Sequence, residues 1–341
     1  APVRTRLIYQ NTMYELAGLL IERLSGDSWY SFLQKRLWHP IGMQETFAAR
    51  GFIAEGLSHV TPYIYQEDQL KVANWDFAAD YADAAGSVWS SVHDLSLWAQ
   101  FLLRGGVTQD GERLISEEGI RQMFEPQQLA SEDDFYPTVR LTKPNWRSYG
   151  LGWFQQDFQG RKIDFHTGSL SGLIAIIGLD RAAQLAVIVL GNRDHAEMRH
   201  ALLWHVMDEA NSGEKRDWNQ AVFDLYQENR SSADSKWQSL QEKRLKDTEL
   251  SLPLDAYTGS YRNARVGDIQ IVRSGNELVL KTGRVNFDMS HWHQDTFLME
   301  YKQWEMKEFA WFHLTPDAVI RQVEFFDETF ERVEEVPAVP E

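Results

Sequence analysis

Cysteine is absent from all 341 positions, which excludes disulfides, thiolate catalysis and Cys-based metal sites. Positive charge is scarce: 34 Lys and Arg stand against 50 Asp and Glu, a net charge of −16. That balance argues against nucleic acid, whose phosphates need Lys and Arg to displace counterions, and against an anionic membrane surface. No apolar run approaches the ~20 residues that a membrane-spanning helix needs. No signal peptide, internal repeat, low-complexity tract or phosphate-cradling Gly-rich loop is visible. What the chain does have is apolar bulk: 43% hydrophobic residues, with 13 Trp and 18 Phe, are enough for a real core. Its length suggests two domains.

Periodicity divides the chain into three textures. Residues 12–24 put Met13, Leu16, Ala17, Leu20 and Leu24 on one helical stripe, with Glu15, Glu22 and Arg23 off it. Asn11 is a good N-cap for that helix and Gly26 a good stop. A second helix opens at Asp27 or Ser28 and ends at His39-Pro40. Residues 44–82 are turn-rich and read as a surface excursion. Residues 92–104 read as a helix with Leu95, Trp98, Leu102 and Leu103 inward, closed by Gly105-Gly106. From 147 the period changes: Ser148–Gln156, Lys162–Phe165, Leu173–Leu179 and Leu185–Leu190 are short β-rich or apolar runs parted by turn residues and read as adjacent antiparallel strands, the last two joined by a hairpin at 180–184. A helix follows at 195–210, then a charged, helix-prone segment at 213–250. After Pro253, seven short β-rich runs between 257 and 326 suit a small barrel or sandwich.

Several segments carry chemistry. Tyr9-Gln10-Asn11 stands ahead of the first helix, followed by Ser25-Gly26 and Pro40-Ile41-Gly42-Met43. Ala84-Ala85-Gly86-Ser87 precedes the helix at 92, Tyr149-Gly150-Leu151-Gly152-Trp153 opens the β region, and His166-Thr167-Gly168-Ser169 follows. In this order the segments resemble the penicillin-recognising serine hydrolases: class C β-lactamases, D-alanyl-D-alanine carboxypeptidases and related esterases. The resemblance spans roughly residues 6–192. It implies an α+β fold, β-lactamase/transpeptidase-like, with an antiparallel sheet flanked by helices plus a helical lobe. The Ser-x-x-Lys and Lys-Thr-Gly pair is the family's motif set. The opening Gly259-Ser260-Tyr261-Arg262-Asn263 and the run His291–Phe297 resemble lipocalin-like β-domains appended to some members. The expected domains are therefore 1–212 (β-lactamase-like, N-terminally incomplete), 213–250 (charged helical linker) and 251–336 (small β-barrel).

Serine attack on an acyl carbon needs proton removal, oxyanion stabilisation and leaving-group protonation. The resemblance implies Tyr9 as proton relay; the structural alternative is a helix-entry aromatic packed against the following turn. The resemblance also makes Asn11 a donor to a substrate carbonyl, a role that competes with N-capping. His166, Thr167, Gly168 and Ser169 would line the cleft, with Gly168 allowing close substrate approach and the Ser169 N–H as an oxyanion donor. His166 stands where members carry Lys or His. An imidazole is mostly neutral at pH 7, so less dependence on a substrate carboxylate is expected, favouring peptide or ester substrates. A structural alternative for His166 is a strand histidine bonded to a backbone carbonyl.

The family's nucleophile, in Ser-x-x-Lys, lies upstream of Tyr-x-Asn, so the resemblance implies one on residues preceding Ala1 and little activity from this chain alone. Ser212-Gly213-Glu214-Lys215 is the single Ser-x-x-Lys in the sequence but falls after the last motif, and Lys281-Thr282-Gly283 lies in the appended β-domain. Neither is expected to act. His291-x-His293 puts two imidazoles on one strand face, but such a pair is more often structural. His200 and His205, which share a helix region with His195, are five apart rather than the four that suit one helical face, with no carboxylate at ligand spacing. Neither a metal nor another cofactor is therefore expected. The expected function is a serine hydrolase forming an acyl-enzyme on a peptide, possibly containing D-amino acids, or an ester. The alternatives are a non-catalytic relative that binds peptide or cell-wall fragments, or an assembly module. The expected setting is periplasmic or secreted, with a homo-oligomer or a companion N-terminal segment as partner. Without that segment, apolar faces should be left exposed.

Overall fold

A computed structural model describes residues 5–66, 69–73, 83–170, 172–211, 215–283, 285–301 and 306–333. The chain divides into two compact units, Ala1–Ser231 and Ser232–Glu341. Its main helices are α1 (Thr12–Ser25), α2 (Trp29–Leu33), α3 (Val92–Leu103), α4 (Glu117–Phe124), α5 (Met198–Glu209) and α6 (Trp218–Lys243). A two-stranded hairpin, β1 (Tyr63–Gln66) and β2 (Gln69–Val72), lies within the turn-rich excursion.

The first unit is organised by a six-stranded antiparallel sheet: β3 (Gln128–Leu129), β4 (Arg147–Tyr149), β5 (Phe154–Phe158), β6 (Arg161–Leu170), β7 (Leu173–Asp180) and β8 (Leu185–Gly191), paired in that order. Successive side chains alternate between the two faces. Ile163, Phe165, Ile176 and Val187 pack with Ala201, Leu203, Trp204 and Met207 of α5. Ile177, Leu179, Ala186 and Ile188 pack with Leu97, Phe101 and Leu102 of α3. Helices on both faces explain why β7 and β8 read as near-continuous apolar runs. The run expected as one strand over 148–156 is two strands. Gly150-Leu151-Gly152 turns the chain back, Gly152 holding a φ of +83° that favours glycine, and Tyr149 pairs with Phe154 across the hairpin.

Two helical details differ from expectation. Pro40 does not end the second helical segment, because it falls at the start of a new helical turn, where its missing N–H costs nothing. Gly42, at φ +97°, ends it instead. More consequentially, the apolar stripe of α1 faces outward. Met13, Leu16, Leu20 and Leu24 are all exposed, Leu24 at 78%. The packed side is the one with Gly18, whose missing Cβ makes room for Ala84 and Trp29, and with Glu15 and Glu22. Replacing Leu16 and Leu20 with Lys is therefore expected to change unfolding free energy by no more than about 0.5 kcal/mol, as exposed sites do. The same pair should reduce self-association. Sedimentation velocity checks this, and an unchanged oligomer distribution would count against an unpartnered face.

The second unit holds a closed antiparallel barrel of eight strands: β9 (Gly259–Asn263), β10 (Gly267–Ser274), β11 (Glu277–Thr282), β12 (Val285–His293), β13 (Thr296–Tyr301), β14 (Met306–Leu314), β15 (Ile320–Phe325) and β16 (Glu328–Val333). β16 pairs with β9, so the sheet has no open edge. The interior is packed with side chains, including Tyr257, Tyr261, Phe297, Met299 and Phe330. Eight strands leave an interior of about that capacity. The eighth strand was not expected, since in Glu-Thr-Phe-Glu-Arg-Val only Phe330 is buried deeply. The last turns of α6 belong to this unit and lay Trp237 against Trp292 and Phe309.

Candidate active site

The sheet and the helical lobe leave a cleft of about 770 Å³ in the first unit. Tyr9 and Asn11 reach it from the start of α1, and His166, Thr167, Gly168 and Ser169 from β6. All six residues expected at a site thus line one cavity. The Tyr9 ring lies 6.1 Å from the His166 ring and stacks on Phe154 at 5.9 Å. Asn11 sits at the N-cap position, yet its side chain makes no capping hydrogen bond; only its carbonyl does, accepting from Tyr14 N at 2.8 Å. Its exposed amide is left facing the cleft.

β6 is held in register by β7, with His166 opposite Ile177 and Ser169 opposite Ile174. Alternation turns Thr167 inward, where its hydroxyl donates to the Ala175 carbonyl at 2.7 Å. Tyr136, which also lines the cleft, donates to the Thr167 carbonyl at 3.2 Å. The buried Arg199 of α5 donates to Ser169 Oγ at 3.0 Å, with Glu197 3.5 Å from the same guanidinium. The opposite wall is the small-residue turn at 83–87. Glu15 of α1 accepts from the amides of Ala84 (3.3 Å) and Ala85 (3.1 Å), and Asp83 from those of Ala85 (3.0 Å) and Gly86 (2.8 Å). Burial first, then the Asp83 carboxylate, raises Glu15 above the usual carboxylate range. The excursion supplies Glu45, Phe47, Ile53, Leu57 and Val60 as further lining.

Electrostatically the cleft is quiet. Burial pushes His166 down to about 4, so its imidazole is neutral at pH 7. Burial, with a smaller contribution from Tyr14, raises the Tyr9 phenol, so it keeps its proton. No Lys or Arg lines the cleft among the described residues. Behind β6, His200 is also pushed down, to about 3, by burial and then by Arg199. Both imidazoles have folded values below the unfolded ~6.5, so their contribution to stability is full above about pH 6.5 and lost as pH falls toward 4. Urea unfolding should therefore show a drop between about pH 7 and about pH 4.5, smaller in His166→Gln than in the unaltered chain. Equal drops would contradict the neutral ring.

Four serines line the cleft, Ser58, Ser90, Ser91 and Ser169, and none has Lys three positions on. Ser91-x-His93-Asp94 spells the letters of a triad, but the His93 side chain is 74% exposed and Ser91 Oγ accepts the Asp94 amide as a helix cap. Ser212 lies outside the described residues. Lys281-Thr282-Gly283 ends β11 of the barrel, in the other unit. His291 bonds the Gln294 carbonyl and His293 accepts from Leu245 N. No cluster of three metal-ligating side chains occurs among the described residues.

Sequence reasoning missed Glu15, Arg199 and Tyr149. Glu15 interrupts an apolar helix, a readable signal; Tyr149 lay inside a motif already singled out; nothing in the sequence near Arg199 marks it.

Residues 1–212 match the family described as Beta-lactamase, and residues 243–336 a domain of unknown function, DUF3471. The chain is 24% identical over 273 residues to Unguisins hydrolase ungD' of Aspergillus campestris (strain IBT 28561), covering 76% of this chain and 48% of that protein. It is 27% identical over 196 residues to Penicillin-binding protein 4 of Amycolatopsis lactamdurans, covering 56% and 48%. It spans about half the length of these curated relatives. Among solved structures, the octameric penicillin-binding protein homologue from Pyrococcus abyssi superposes with a TM-score of 0.55 at 19% identity, covering 97% of this chain and 66% of that one. At that identity the likeness speaks for the fold. Matched over more than half its length, and carrying that fold around this cleft, the chain belongs to the β-lactamase family.

Proposed function

We propose that the cleft is the substrate-binding half of a serine acyl-transfer site that cleaves a peptide or ester bond through an acyl-enzyme. One observation carries the reading: Tyr9 and Asn11 from one lobe and His166–Ser169 from the sheet meet on a single cavity of enzyme-site size. In this reading Asn11 and Thr167 contact the substrate, Gly168 admits its backbone, the Ser169 N–H faces the oxyanion, and Tyr9 relays protons. Tyr9 needs a neighbouring cation for that task, because its raised phenol is a poor base alone. The missing hydroxyl and that cation come together in a Ser-x-x-Lys helix. We propose that such a helix, from an N-terminal segment of the same polypeptide, docks on the exposed stripe of α1. Asn11 heads α1 and lines the cleft, so a helix lying along Leu16 and Leu20 reaches the cavity. The relatives' roughly twofold length supports such a segment.

Mostly apolar walls and a neutral position 166 favour an uncharged acyl compound, including amides of D-amino acids. The likeness to penicillin-binding proteins supports action outside the cytoplasm; no described helix is long and apolar enough to cross a membrane. Treating the whole encoded protein with a fluorophosphonate and with a labelled penicillin tests the reading. A covalent adduct on a Ser-x-x-Lys serine is the expected result. No adduct, with peptide binding retained, would favour the non-catalytic alternative.

A further inference from the structure

The turn-rich excursion is stapled to the end of the sheet. Gly172, between β6 and β7, holds a φ of +78°, and a Cβ there would lie 2.6 Å from both Pro62 Cβ and Tyr63 N. Glycine alone admits that approach. Tyr63 N donates to the Asn192 carbonyl at 2.9 Å, and Asp194 N to the Tyr63 carbonyl at 2.9 Å. Asn192 Nδ2 donates to the Thr61 carbonyl at 2.9 Å. Just ahead of this staple, the His59 ring stands edge-on to Trp89 at 6.3 Å. Residues 57–60 are thereby pinned as one wall of the cleft. Leu57 and Val60 from that wall line the same cavity as Leu173 of β7 and Leu190 of β8. Val60 is 51% exposed and Leu190 36%. Apolar surface left open in a concavity of enzyme-site size, continuous with His166–Ser169 on β6, suits an apolar group of a bound compound.

We propose that Leu57, Val60, Leu173 and Leu190 form a specificity pocket for one aliphatic side chain of the compound bound along β6, selecting leucine-sized residues over glycine and alanine. The proposal deepens the acyl-transfer reading and rests on its placement of substrate along that strand. Taking a leucine side chain out of water corresponds to about 10–100-fold in affinity. Because the staple fixes the wall beforehand, little of that gain is lost to ordering the loop.

Equilibrium titration of the full chain with N-acetylglycinamide, N-acetyl-D-alaninamide and N-acetyl-D-leucinamide, followed in its amide NMR spectrum, tests the pocket. The dissociation constant is expected to fall about 10–100-fold from the glycine to the leucine compound. In the double variant Val60→Asn/Leu190→Asn, whose exposed positions should leave the fold intact, that gain should shrink to under about 3-fold. Gly172→Ala, which drives Pro62 and Tyr63 off the turn, should shrink it too; if that variant does not fold, the double variant decides. A flat series in the unaltered chain overturns the proposal, as does a full gain in the double variant. Loss of self-association in the double variant would assign the face to a second copy of the chain and equally overturn it. No turnover enters these titrations. Failure of covalent labelling would therefore bear on acyl transfer alone, and a flat series with labelling intact on the pocket alone.

Discussion

Joined to a β-lactamase-family N-terminal segment that carries Ser-x-x-Lys at a helix start, this chain is expected to turn over an uncharged D-amino-acid amide or ester about 10⁶-fold faster than it does alone. That is the order of loss seen when a serine nucleophile is deleted from a complete site. The ratio is large because every other service depends on the attacking group. Tyr9 holds its proton without a neighbouring cation, and His166 supplies none. Asn11, Gly168 and Ser169 can orient a substrate, and orientation without a nucleophile leaves only background hydrolysis. Within the joined protein, Tyr9→Phe should retain substrate affinity and lose about 10²–10⁴ in turnover, the usual span for a proton-transfer group. Initial rates of the chain, the joined protein and its serine-to-alanine variant make the comparison. Equal rates for chain and joined protein would end the half-site reading.

Trp204→Ala is expected to lower unfolding free energy by about 3–5 kcal/mol, the range for deleting a fully buried aromatic. The indole is 0% exposed, and its ring meets Phe158 at 5.2 Å, Phe165 at 5.6 Å and Trp218 at 6.2 Å. It joins α5, β5, β6 and the start of α6 in one cluster. Phe165 precedes His166, so a cavity behind it loosens the strand that lines the cleft. Trp204→Phe should cost much less. The indole N–H has no hydrogen-bond partner among the described residues, and removing an orphaned buried donor offsets part of the lost packing. Denaturant titration with an unchanged slope separates the variants. A cost under about 1 kcal/mol for the alanine variant would mean the site collapses freely.

Much of the architecture was legible. Short apolar, β-rich runs marked β6, β7 and β8, and Asn11 and Gly26 bracketed α1. The six residues expected at the cleft do line it. What was not legible depended on partners distant in sequence. The stripe on α1 was identifiable, but periodicity says only that a helix has two faces, not which one meets the fold. The burial of Gly18 against Ala84 decided that, together with Glu15 gripping the turn at 84–85. Likewise Tyr149 became informative only once the Gly152 turn set it opposite Phe154 and within reach of His166. β16 was missed because one deeply buried residue among charges gives too little pattern for a strand.

The barrel has a consequence of its own. Its strands close on themselves and Tyr257, Tyr261, Phe297 and Phe330 fill the middle, so among the described residues the interior is packed with side chains. The aromatic surface this unit leaves accessible is on the outer wall, where Trp311 is 41% exposed.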